Sequence, residues 1–291
     1  MKVFLTGATG YIGSVVAEYL LKTGHTVAGF ARSEASAGKL TAAGVEPASE
    51  LESAKDADAV IHLAANWGPQ MPQVDEQMVR TLLGALKGSG KPFVYTSGTW
   101  VMGPTRGHVA GEMAPLRPPP VLAWRPPIEK LVLGSVDDKV RACVIRPASV
   151  YGRGGGRVGQ FVQQARELGV VRIVGAGSNH WSFVHVDALA ELYVLAIQQQ
   201  PSGEMFLAAD GPAFTVRTVA DTVATMYETR VEVLSLDAAR ASMGPIVDAF
   251  IMDQKIMSTK AGRMLGWAPR WPTVLDEIRS GSYAPPRPDA G

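Results

Sequence analysis

The chain has 291 residues, with 28 Lys and Arg against 27 Asp and Glu and a single cysteine. That length can bury a substantial core in one or two domains, and a net charge of +1 leaves no basic face for nucleic acid and no polybasic segment for a membrane surface. One cysteine excludes an internal disulfide, the first apolar run is too short for a signal peptide, and no run reaches membrane-spanning length, so a reducing, cytoplasmic setting is expected.

In chain order, Lys2 to Thr6 predicts a short buried strand. Ile12, Val15, Val16, Tyr19 and Leu20 then recur at helical spacing, with Gly24 where a C-cap belongs. Thr26 to Ala31 predicts a second strand, Asp58 to Ala65 a third, Asp75 to Lys87 an amphipathic helix and Phe93 to Thr96 a further strand. A Gly- and Pro-rich loop runs through Pro118-Pro119-Pro120, and Pro126 and Pro127 suit the first turn of a helix ending near Gly134. Val140 to Ile145 predicts a strand that buries Cys143 as an inert thiol. Beyond Tyr151 the alternation loosens. Gly154 to Gly156 reads as a mobile loop, Phe161 to Leu168 and Asp187 to Gln198 as helices, and Val170 to Val174 and Met205 to Ala208 as strands. The alternation implies a parallel sheet with helices on both faces and ligands at the carboxyl ends of its strands. The expected division is 1–150 for a dinucleotide-binding domain and 151–281 for a smaller substrate lobe interleaved with the sheet. The Pro-rich 282–291 is expected as a disordered tail.

The chemistry starts at Gly7-Ala8-Thr9-Gly10-Tyr11-Ile12-Gly13, between a strand and a helix. Gly7 can take a backbone angle closed to other residues, Gly10 lets a phosphate approach the main chain, and Gly13 lets the helix pack on the strand. The helix N–H groups then face a diphosphate. A cofactor with a free ribose 2′-hydroxyl usually meets a carboxylate at the end of the second strand. Here that strand ends in Ala31, followed by Arg32 and Ser33, which suit a 2′-phosphate and favour NADP(H).

Four stretches, Thr6 to Gly13, Val60 to Ala65, Ile145 to Gly152 and Phe183 to Asp187, resemble the extended branch of the short-chain dehydrogenase/reductase superfamily, which includes the NAD-dependent epimerases and dehydratases and related carbonyl reductases. Ser258 to Trp267 resembles its C-terminal stretch, so the likeness spans nearly the whole chain. It implies a Rossmann doubly wound parallel sheet with a smaller C-terminal substrate lobe. Carried over, Gly7, Gly10 and Gly13, with Thr9, Tyr11 and Ile12 in the same turn, hold the diphosphate. Arg32 and Ser33 hold the 2′-phosphate, and Leu63, Ala64 and Ala65 line the adenosine and ribose side. Thr96 and Ser97 approach the nicotinamide ribose, with Pro147 and Ser149 near the nicotinamide.

The departures matter as much. The family uses a Ser or Thr after this strand, and a Tyr followed four positions on by Lys as proton donor and its partner. The serine position falls at Gly98, between Ser97 and Thr99, and Arg125 and Glu129 stand where Tyr and Lys are kept. That pair reads first as an i,i+4 ion pair and second as a cation beside a developing oxyanion. Ser97, Thr99 and Arg125 are therefore the candidate catalytic residues. Nucleotide-sugar members carry a diphosphate-binding arginine where this chain has Trp181, and with Trp67, Trp100 and Trp124 it is expected to line an apolar pocket. His62 and His185 read as structural, and no cluster has metal-ligand spacing. The expected function is NADPH-dependent reduction of a carbonyl or activated C=C of a small apolar substrate. The alternatives are a nucleotide-sugar epimerase or dehydratase and a non-catalytic NADP(H)-binding sensor. No nucleic acid or membrane partner is expected, and a homodimer is left open.

Overall fold

The computed structural model describes residues 1–65 and 68–285. β1 (Lys2–Thr6) passes through the glycine turn into α1 (Tyr11–Lys22), and β2 (Thr26–Phe30) and α2 (Glu34–Ala42) repeat the unit. β3 (Glu46–Ala48), β4 (Ala59–His62), α3 (Met71–Leu86), β5 (Pro92–Thr96), the short β6 (Val109–Ala110) and α4 (Arg125–Gly134) follow. Next come β7 (Arg141–Pro147), β8 (Ser149–Tyr151), α5 (Gly156–Leu168), β9 (Val170–Val174), β10 (His180–Trp181), β11 (Phe183–His185), α6 (Val186–Gln199) and β12 (Glu204–Ala208). The chain closes with β13 (Phe214–Thr215), α7 (Val216–Met226), β14 (Arg230–Leu234), α8 (Leu236–Met243), α9 (Val247–Phe250), β15 (Lys255–Ile256), α10 (Lys260–Leu265) and α11 (Val274–Ser280).

Seven strands form one parallel sheet in the order β12-β7-β5-β4-β1-β2-β3. This is a Rossmann sheet, and its chain direction of travel reverses between β1 and β4. Crossovers leave those two strands toward opposite faces there, which opens a crevice at their carboxyl ends. The central strands are largely apolar because both faces are covered. Alternate side chains serve alternate faces. Val3, Leu5, Cys143 and Ile145 lie in the core with residues of α1 and α6, while Phe4, Ala142 and Val144 lie in the core with residues of α3 and α4. Cys143 is fully enclosed and burial pushes its thiol up to about 12, so it is an inert core group.

A second core, built from α5, α7, β9, β14 and α11, forms the lobe. From within 151–281, β12 completes the sheet and α6 packs on its face, so the chain passes between sheet and lobe more than once.

Three expectations change. α3 begins at Met71, four residues earlier than expected, because Pro72 fits a first helical turn. Gly154 to Gly156 is packed rather than mobile: Tyr11 lies against Gly155, Gly156 opens α5, and the Tyr283 hydroxyl donates to the Gly155 carbonyl at 2.6 Å. The tail does not begin at Ser282, because Tyr283 is buried in the lobe core and its hydroxyl also accepts from the Gly152 N–H at 2.6 Å.

Candidate active site

Gly7 sits at φ +73°, and a Cβ there would come 2.7 Å from the Ala64 nitrogen, so the turn after β1 accepts no other residue. A Cβ on Gly13 would run into the Gly7 carbonyl, which sets how closely α1 meets β1. Gly10 is exposed, caps the helix with its backbone alone and would have only the Gly7 oxygen, at 3.2 Å, near an added Cβ. The Ser14 N–H is the first to bond back, to the Gly10 carbonyl at 2.9 Å. The Tyr11, Ile12 and Gly13 N–H groups therefore precede the helical ladder, and no acidic residue stands in this turn. The arrangement fits a dinucleotide diphosphate. Thr9 is exposed on the turn. Ile12 packs against the core, and the Tyr11 hydroxyl donates to the Gly152 carbonyl at 2.8 Å. The Tyr11 side chain thus braces the turn against the lobe, leaving its backbone N–H for a ligand.

Beneath the turn runs a buried polar chain. Thr6 Oγ1 accepts the N–H groups of Leu63 and Ala64, each at 3.2 Å, and lies 2.6 Å from His62 Nδ1. His62 Nε2 lies 3.2 Å from Asp75 Oδ1, and the Tyr95 hydroxyl donates to Asp75 Oδ2 at 2.6 Å. With two donors already on Thr6, its own proton goes to Nδ1 and Nε2 donates to Asp75. His62 is therefore a satisfied core histidine, and the Leu63 and Ala64 backbone is held at the end of β4. Ala65 is exposed beside them.

At the end of β2, Arg32 is exposed. Ser33 is also exposed, but its hydroxyl accepts the Ser36 N–H at 3.2 Å in a capping box that starts α2. Its role here is the cap, which aims the positive end of α2 beside Arg32.

The candidate catalytic residues lie past β5 and on α4. Thr96 Oγ1 is 2.6 Å from the Tyr193 hydroxyl of α6. Ser97 is buried, its N–H donates to the Ile145 carbonyl at 2.8 Å, and its Oγ has no protein partner among the described residues. A Cβ on Gly98 would meet nothing closer than the Pro147 oxygen at 4.0 Å, so a side chain would fit there. Thr99 is buried and its carbonyl accepts from Gln254 Nε2 at 3.0 Å. Pro147 ends β7, and the Ser149 N–H donates to the Ser182 carbonyl at 3.0 Å.

The expected Arg125–Glu129 pair does not form. Glu129 is bound by Arg146 through Nε at 3.0 Å and Nη2 at 2.5 Å, in a buried fork between α4 and β7. Arg125 is buried, stacks at 4.7 Å over Trp124 and donates Nη1 to the Thr96 carbonyl at 3.3 Å. Its Nε has no partner among the described residues. The structure thus gathers Ser97 and Arg125 at one strand end, each with a polar atom to spare. No tyrosine of the chain is followed four positions on by lysine.

The tryptophans divide. Trp67 lies outside the described residues. Trp100 is partly exposed and meets Phe250 edge-on at 5.4 Å. Trp124 donates its indole N–H to the Val121 carbonyl at 3.1 Å. Trp181 is not a pocket wall: it is buried in the lobe core, stacked on Phe161, with its indole N–H on the Phe250 carbonyl at 3.0 Å. The sequence reading missed Tyr193, Phe250, Gln254 and Arg157, which lie far from the family stretches in sequence or carry no motif. His185 accepts the Asp187 N–H through Nδ1 as the cap of α6, and burial lowers its pKa. Among the described residues there is no cluster of metal ligands and no helix long and apolar enough to cross a membrane.

Comparison with known proteins agrees with this architecture. A family model described as the NAD dependent epimerase/dehydratase family matches residues 3–209. An uncharacterized Saccharomyces cerevisiae protein, YLL056C, is 30% identical over 96% of this chain and 98% of its own length. A Stenotrophomonas maltophilia 2-alkyl-3-oxoalkanoate reductase is 27% identical over 70% of this chain and 67% of its own. Among solved structures, Bacillus anthracis dTDP-glucose 4,6-dehydratase in complex with NAD superposes with a TM-score of 0.81 at 17% identity, over 97% of this chain and 96% of that one, a likeness of fold. With its glycine cradle, its sheet order and a family match over most of its length, the chain belongs to the NAD-dependent epimerase/dehydratase family.

Proposed function

We propose that the protein is an NADP(H)-dependent oxidoreductase that reduces a carbonyl, or an activated C=C, of a small and largely apolar substrate. The observation that carries this reading is that Ser97 at the end of β5 and Arg125 of α4, which reaches the Thr96 carbonyl, each keep an unpartnered polar atom, with no carboxylate bonded to the guanidinium among the described residues. An epimerase or dehydratase begins by oxidising a sugar hydroxyl, which needs a base, and an arginine cannot supply one. A reduction needs the opposite: groups that hold an oxygen as negative charge grows on it. Ser97 and Arg125 are of that kind. Bound NADPH supplies the hydride. The Ser97 hydroxyl donates to the carbonyl oxygen, the Arg125 guanidinium offsets the charge that develops there, and solvent water gives the proton that completes the alcohol. The relative named as a 2-alkyl-3-oxoalkanoate reductase supports a reductase over a sugar-nucleotide enzyme.

The choice of NADP(H) rests on Arg32 beside the start of α2. Arg32→Ala removes charge-assisted bonds to a 2′-phosphate, so NADPH affinity should fall by about 1.5–3 kcal/mol while NADH affinity stays put. Titrating both cofactors into both proteins checks it, and equal NADPH affinity would sink the assignment. NADPH oxidation with a panel of ketones and enones tests the reaction. A second reading, a cofactor-binding protein without turnover, is favoured by the missing Tyr and Lys, and NADPH binding with a silent panel would select it.

A further inference from the structure

Arg157 stands on the first turn of α5, in the lobe, and it is the other guanidinium of interest. Its central carbon lies 3.7 Å from the centre of the Phe250 ring and 6.0 Å from that of Trp181. Phe250 in turn meets Trp100, which lies on the turn that starts at Thr99, two residues past Ser97. Phe250 therefore stands between the Arg157 guanidinium and the turn that follows Ser97.

The group is costly as it stands. Burial pushes its pKa down to about 10, and no carboxylate opposes that shift. Nη1 donates to Gln160 Oε1 at 2.6 Å, and Nε has no partner among the described residues. No acidic residue occupies the first turn of α5 and no side chain caps it among the described residues, so the helix end adds to the positive field. The same chain shows what such a fork takes when a partner is at hand: Arg146 closes on Glu129 through Nε and Nη2. A desolvated cation resting on an aromatic ring, with its Nε edge unspent, suits a planar anion.

Resting on the reductase reading above, we propose that Arg157 recognises a carboxylate on the substrate, which makes the substrate an oxo acid. Its carboxylate sits on the Arg157 fork, its apolar body lies over Phe250 and Trp100, and its carbonyl reaches Ser97 and Arg125. The aromatic residues still select an apolar body, and the charge selects one end of it.

The test uses the full-length protein with NADPH and matched sets of medium-chain oxo acids, their methyl esters, the corresponding saturated acids without the ketone, and alkyl phosphates. The acids should be reduced with kcat/KM roughly 10²-fold above the esters, and Arg157→Met should bring the acids down to the esters' level through KM. Arg157→Lys should restore part of the gap, because it keeps the charge and loses the fork. Calorimetry with the saturated acids needs no turnover: their affinity for the protein–NADPH complex should fall by roughly 10²-fold in Arg157→Met. A silent NADPH assay with that loss of affinity would overturn the reductase reading and leave the anion site standing. Equal binding of acids and esters by the wild type, which needs no variant to fold, would overturn the proposal, as would unchanged acid binding in Arg157→Met. Alkyl phosphates binding more tightly than the acids would replace the carboxylate by a phosphate.

Discussion

A buried guanidinium costs less when it closes on a carboxylate, and Arg146 and Arg125 spend their charge differently. Arg146 and Glu129 are both nearly sealed from water and satisfy each other in a fork. Removing one partner of such a pair strands the other, so Glu129→Ala should lower stability by about 3–5 kcal/mol. Arg125 has one long bond to a backbone carbonyl and strands no acid when it goes. Arg125→Ala should therefore fold well, bind NADPH and lose turnover by about 10²–10³-fold. Denaturant melts of both variants and steady-state kinetics of the second check the pair; an equal loss of stability in both would return Arg125 to a structural role. The sequence reading set Arg125 and Glu129 at the family's Tyr and Lys positions from their spacing on one helix. That Glu129 belongs to Arg146 was not legible, because the partner lies on a strand 17 residues away and only the α4–β7 packing brings the two together.

The elements themselves are written in local pattern, and so most of the sheet could be read in advance. Both-face burial makes β1, β2, β4, β5, β7 and β12 apolar runs, and glycine, proline and caps mark where the helices begin and end. What lacks a period is how one element's end meets the next. Asp210, just past β12, is an example: its Oδ2 accepts the N–H of His185, the last residue of β11, at 2.9 Å, while Oδ1 has no partner among the described residues. Burial pushes its carboxyl up to about 7, well above the value of about 3.9 expected unfolded. The folded state then holds a proton that the unfolded state has lost, so this group makes stability fall as pH rises from about 4 to about 7, with no further change above. Asp210→Asn cannot ionise and should melt higher than the wild type. The gap should open across that interval and stay level above it. Melting curves from pH 4 to pH 8 check this, and a gap independent of pH would mean that Asp210 is ionised throughout.

On the scale of the whole molecule, the cofactor half and the lobe are joined at the loop that carries Gly152 to Gly156. Tyr11 of α1 reaches the Gly152 carbonyl, and Arg153 binds Glu18 of α1 and Asp187 of α6. From the lobe side Tyr283 fills the core, and its hydroxyl accepts the Gly152 N–H and donates to the Gly155 carbonyl. Nothing in the Pro-rich sequence around it announced that anchor, since a lone tyrosine near a chain end has no periodicity to read. This loop sets the start of α5 and so the place of Arg157. Tyr283→Ala should cost about 3–5 kcal/mol, the usual penalty for emptying a buried aromatic site. Tyr283→Phe keeps the ring and should cost about 1–3 kcal/mol, for the buried loop groups left without their hydrogen bonds. If the loop positions Arg157, Tyr283→Phe should also raise KM for oxo acids more than it lowers kcat. Melting curves and oxo-acid kinetics on the two variants test the chain of contacts, and a Tyr283→Phe protein that loses stability with no change in KM would confine the anchor to folding.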